Sequence, residues 1–123
     1  MKKDITERTD IEVLVKSFYD SVNADDLIAH FFTGVNWEQH LPVMYNFWSD
    51  IMFGGNSFNG NPMAKHVALN MRMSMETHHF ERWLLLFRNS VDKMFEGSNA
   101  EMIKQRASSI ATVMRIKIAN VPA

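Results

Sequence analysis

Apolar residues recur along most of this chain at the spacing of helices that each bury one face. The clearest stretch is Trp37 to Phe53, where Trp37, Leu41, Met44, Trp48 and Ile51 share a face and Phe47 lies beside it. His40 falls on that same face, and Pro42 lies inside the stretch. An interior proline removes a backbone hydrogen bond and crowds the preceding turn, at about 3 kcal/mol if unrelieved, so a kink or restart is expected there. Upstream, Thr9 to Val22 reads as a helix with a Thr9/Glu12 capping box, a stripe of Ile11, Leu14, Val15, Phe18 and Val22, and Tyr19 at its edge. Asp25 and Asp26 offer a cap for a short helix from Leu27 to Phe32. A turn from Thr33 to Asn36 comes next, with Asn36 as cap of the central helix.

Downstream of Phe53 comes an aperiodic run rich in Gly and Asn, then Asn61 and Pro62, a cap and first-turn pair. They open a helix expected over Pro62 to Asn70, with Met63, His66 and Val67 on one face. Arg72 to Thr77 reads as a connector, with Ser74 or Thr77 as cap of the next helix. Phe80 to Phe95 carries the stripe Phe80, Trp83, Leu84, Phe87, Val91 and Met94. Gly97 is expected to end that helix, and Ser98 with Glu101 to box the start of the last one. The last helix runs to Ala119 through Ile103, Ala107, Ile110, Met114 and Ile118. Nothing alternates at period two over a useful length, so the expected class is all-α, with five or six helices.

At 123 residues the chain is expected to form one domain, 1–123, and to bury about two thirds of its unfolded surface. A net charge of −1 leaves no electrostatic footprint for nucleic acid or an anionic membrane, so neither is expected as a partner. The absence of cysteine removes disulfides, thiolate zinc sites and cysteine nucleophiles together. MKKDITERTD lacks the apolar core of a secretory signal, and no apolar run reaches the ~18 residues of a membrane span, so a cytoplasmic location is expected. Ten methionines, nine phenylalanines and three tryptophans are enough bulk to wall a pocket for a large flat ligand as well as to fill a core.

The histidines carry the candidate chemistry. His30 adjoins the Phe31-Phe32 pair and reads as a structural residue. Glu76 and His79 have the E-x-x-H spacing of di-iron carboxylate bundles, but such sites need a second copy of the motif, which this sequence lacks. His40 and His66 each sit on the apolar face of a helix, separated by a long bend. Each is either a core histidine bonded to backbone or one of a pair facing a planar metal macrocycle such as haem, whose iron commonly takes one imidazole. The sequence lacks a C-x-x-C-H attachment motif, so any haem is expected to be noncovalent.

At these residues the chain resembles the truncated globins of the third group, small haem proteins with a two-over-two helical sandwich. The resemblance runs from Ile11 to Met114 through LVKSFYDSV, WEQHLPVMYNFWSDIMFG, GNPMAKHVAL, HHFERWLLLF and QRASSIATVM. It implies that a noncovalent, iron-containing haem b is held by His66 as proximal ligand. It further implies that Tyr19, His40 and Trp83 line the distal side, and that Phe32, Met44, Phe47, Met63 and Trp83 pack on the porphyrin. The turn between Phe32 and Trp37 is shorter than in some members.

The expected function is binding of dioxygen and other small diatomic gases at ferrous iron. An alternative is a haem redox enzyme, a nitric oxide dioxygenase or peroxidase-like activity served by an unidentified reductase. A second alternative is a helical domain without haem whose histidines are structural. Several distal donors suit slow release of dioxygen better than simple delivery.

Overall fold

The computed structural model describes residues 2–55 and 75–119. Helix α1 spans Arg8–Asn23 and buries Ile11, Leu14, Val15, Phe18 and Val22 completely, as its stripe requires. Its capping box lies upstream of the expected Thr9/Glu12 pair. Glu7 is the cap, its side chain receives a first-turn N–H, and the Asp10 carboxylate receives the Glu7 N–H at 3.2 Å. Asp10 wins because the preceding segment converges on it, through the Thr6 N–H at 2.9 Å and the Lys3 ammonium at 2.9 Å. Burial pushes the Asp10 carboxyl up, but the Thr6 and Glu7 amides and Lys3 outweigh it and hold the group below the ordinary range.

The expected Leu27 to Phe32 helix is reduced to a 3-10 turn at Ala29–Phe32. Asp25 does accept the Leu27 N–H, at 3.0 Å, while its backbone carbonyl takes the Ala29 N–H. A turn containing Gly34, at φ +83°, then delivers the chain to Asn36. Helix α2 spans Trp37–Phe53, capped by the Asn36 side chain. It shows no restart: the helix is continuous through Pro42. Gly54, at φ +79°, ends it in a backbone conformation that a side chain would strain.

Helix α3 spans Thr77–Met94, beginning three residues before the expected Phe80 and ending one residue before Phe95. Its cap is Glu76, whose backbone N–H donates to His79 Nδ1 at 2.9 Å while its carboxylate receives the His79 N–H. The E-x-x-H spacing is thus a capping box. Among the described residues no group of three or more His, Asp or Glu side chains could hold a metal ion.

Helix α4 spans Ser98–Ala119 and buries Ala100, Ile103, Ala107, Ala111 and Met114. The expected Ser98/Glu101 box gives way to a cap supplied from the other end of the chain. Asp4 accepts the Asn99 and Ala100 N–H groups at 3.0 and 2.8 Å, and Gly97 occupies the cap position with its carbonyl bonded to the Glu101 N–H. The same N-terminal segment pairs with Phe95 as an isolated parallel bridge at Lys3, and Ile5 beside it is fully buried.

Helix α1 packs on α2 and on α3, and α3 packs on α4, giving two helix pairs that cross in a two-over-two sandwich. There is no strand among the described residues, and no helix among them is long and apolar enough to cross a membrane.

Candidate ligand pocket

Three elements bring two of the distal candidates, Tyr19 and His40, together. The end of α1 supplies Phe18 and Tyr19, the 3-10 turn supplies Phe32, and the first turn of α2 supplies Trp37 and His40. Tyr19 is the hub. Its ring centroid lies 4.9 Å from Trp37, 5.6 Å from His40, 5.9 Å from Phe32 and 4.9 Å from Phe18. The short turn after Phe32 stacks that ring on Trp37 at 5.9 Å and 26°. Trp37 was legible as part of the α2 stripe but not as a pocket residue; its place three positions before His40 is the signal that marks it.

Trp83 joins this group through Phe18, which meets it edge-on at 5.5 Å and 88°. The indole also lies parallel to Phe87, at 5.7 Å and 15°, and Phe87 stacks in turn on Trp48 at 4.7 Å. Phe47 stands nearly perpendicular to Trp48, at 5.2 Å and 85°. Of the residues expected to pack on a porphyrin, Phe32, Met44, Phe47 and Trp83 are half-buried against the core. His66 and Met63, the expected iron ligand and its neighbour, lie outside the described residues.

Tyr19 is 6% exposed, and burial alone raises its phenol above the ordinary value. Such a hydroxyl stays protonated at physiological pH and is an intact donor. Helix α2 has a complementary character. Trp48 is its one buried residue, while Trp37, Leu41, Met44, Phe47, Ile51 and Met52 are half-buried along the face that carries His40. The two features together set a buried phenol beside a half-buried apolar helix face.

The comparisons with known proteins agree with this fold. The family model of the bacterial-like globins matches residues 4–119. The group 3 truncated hemoglobin ctb of Campylobacter jejuni is 29% identical over 118 residues, covering 91% of each protein. The crystal structure of a group III truncated hemoglobin from Campylobacter jejuni superposes with a TM-score of 0.88 at 26% identity, over 100% of this chain and 99% of that one. A 2/2 hemoglobin from Synechococcus sp. PCC 7002, solved in the cyanomet state with covalently attached heme, shares the fold with a TM-score of 0.77 at 18% identity, over 93% of each chain. This chain therefore belongs to the bacterial-like globin family and is similar to the group III truncated haemoglobins.

Proposed function

We propose that this protein binds haem b noncovalently, with His66 as the iron ligand, and that it takes up dioxygen and other small diatomic gases on the side lined by Tyr19, His40 and Trp83. The observation that carries this reading is the buried Tyr19 hydroxyl, desolvated by its surroundings, set beside the half-buried apolar face of α2. The residue types fit the group. A flat macrocycle would cover Met44, Phe47 and Phe32, and bury apolar surface worth roughly 25 cal/mol for each Å² removed from water. The absence of cysteine supports noncovalent retention. The haem supplies the iron to which a diatomic ligand attaches.

The chain's own residues decide what happens to that ligand. The Tyr19 hydroxyl donates to a ligand atom that carries partial negative charge, and the surrounding rings of Trp37, Phe32 and Phe18 exclude competing water. Trp83 brings an indole N–H, a donor with no acceptor capacity, from the α3 side. The His40 ring, packed edge-on against Tyr19, borders the same space. Neutral donors of this kind favour slow release of dioxygen. The same donor set could polarise an O–O bond in nitric oxide dioxygenase or peroxidase-like turnover. Assays with a reductant and nitric oxide or hydrogen peroxide separate that activity from binding.

The test is the absorption spectrum of the purified protein, oxidised, reduced and under carbon monoxide, followed by extraction into acidified organic solvent. A Soret band that shifts on reduction and on carbon monoxide addition, from a chromophore that extracts freely, is the expected result. A protein that takes up no haem, or a chromophore that stays with the chain on extraction, contradicts the corresponding part of the proposal.

A further inference from the structure

Arg82 immediately precedes Trp83 on α3, and its Nε donates to Asp25 Oδ2 at 2.7 Å. The Asp25 side chain is 6% exposed and that of Arg82 is 42% exposed, so the carboxylate is the buried member of the pair. Its other oxygen is already fixed by the Leu27 N–H at 3.0 Å, and the Asp25 carbonyl accepts the Ala29 N–H at 2.9 Å. The carboxylate is therefore held in one orientation by the turn between α1 and Phe32, and it grips α3 from there.

Half-buried ion pairs of this kind contribute little net stability, because desolvation offsets attraction, and the role this leaves open for the pair is to fix geometry. Trp83 needs such a fix. Its ring rests edge-on against Phe18 and face to face with Phe87, contacts that tolerate sliding and rotation of the flat surfaces. The setting of α3 and the side-chain torsions of Trp83 together decide where the indole N–H points. Among the described residues, the ion pair that ties α3 to the chain between α1 and the 3-10 turn is Asp25–Arg82.

We propose that Asp25 and Arg82 are positioning residues that set the orientation of Trp83 toward the Tyr19 side of the pocket; its value for ligand binding rests on the proposed role of Trp83 as a donor. The pair touches no ligand itself and acts through the indole.

The indole N–H resonances of Trp37, Trp48 and Trp83 decide this in the protein as purified, reduced under carbon monoxide so that any haem is diamagnetic. Trp83→Phe assigns the relevant signal. Arg82→Gln and Asp25→Asn are expected to move or split the Trp83 resonance while those of Trp37 and Trp48 stay in place, and Arg82→Lys, which keeps the charge, is expected to restore part of the shift. A Trp83 resonance that stays unmoved in Arg82→Gln overturns the proposal, as does a common movement of all three signals, which marks general repacking. If Asp25→Asn fails to fold, the more exposed Arg82→Gln still gives the answer. In haem-loaded protein the C–O stretching frequency should shift in Arg82→Gln, and that shift should vanish in a Trp83→Phe background. A moved indole resonance with an unmoved C–O stretch retains the positioning and removes Trp83 as a ligand donor, while a parent protein without haem removes the functional reading and leaves the indole result to stand alone.

Discussion

Tyr19 is held by four aromatic neighbours from three segments of chain, and this enclosure gives its hydroxyl its character. Burial keeps the phenol protonated and ready to donate. Tyr19→Phe is therefore expected to speed dioxygen release roughly five-fold, the consequence of one lost hydrogen bond of about 1 kcal/mol, as read by stopped-flow displacement. Tyr45→Phe, a change on α2 outside this aromatic group, should leave the rate unaltered. Trp83→Phe should also speed release, and equal rates in parent, Tyr19→Phe and Trp83→Phe would remove the donor argument. At this scale three of the residues singled out in the sequence lie together, with Phe32 and His40 both against the Tyr19 ring. It could not show that Trp37 closes the group, because a tryptophan on an apolar stripe looks the same whether it faces core or pocket.

The helices are set by their ends as much as by their faces. Helix α2 was readable to its limits because both stops are local, Asn36 before it and Gly54 after it. Helix α4 was readable to its limits as well, Ser98–Ala119, but its capping side chain was not, because Asp4 lies at the far end of the chain. Burial pushes the Asp4 carboxyl up, but the Asn99, Ala100 and Ile5 amides and the Ser98 hydroxyl together hold it below the ordinary range. Gly97 makes that approach available: its φ is +131°, and a Cβ there would lie 2.5 Å from Asp4 Cγ. Gly97→Ala should thus destabilise the protein by about 1–3 kcal/mol in urea unfolding, from strain and clash together. Asp4→Ala should cost about 0.5–2 kcal/mol by loss of the cap.

The Glu76/His79 box is expected to make α3 sensitive to pH. Burial lowers the His79 pKa, and the neighbouring charges of His78 and His30 lower it further against the opposing pull of Glu76. His79 Nδ1 accepts a hydrogen bond, which requires the neutral ring. The unfolded chain then binds more protons than the folded one below the ordinary histidine value, so stability rises with pH. The contribution is complete above about pH 6.5, the unfolded value, and is lost as pH falls through the lowered folded value. Denaturation midpoints measured across that range should fall toward acid in the parent. His79→Gln, which keeps an acceptor without the titration, should flatten the dependence, and an unchanged slope would rule His79 out as its source. The E-x-x-H spacing was visible in the sequence, but the same interval serves a metal pair and a helix cap, and only the backbone around Glu76 distinguishes them.

At the scale of the whole molecule, α1 packs on α2 and α3, and α3 on α4, with Tyr19 in the buried core and the apolar face of α2 half-buried against it. The all-α class and the main buried stripes followed from periodicity, because each helix buries a face that repeats at helical spacing. The function did not follow from periodicity; it came from a likeness of motifs, which the bacterial-like globin match now supports at the level of family. The central claim is that His66 holds a haem against the Tyr19 side of this molecule. The most direct test is the absorption and circular dichroism of His66→Ala beside the parent. The account predicts loss of the Soret band with the helical signal largely kept. Haem retained in a six-coordinate state in that variant would contradict it.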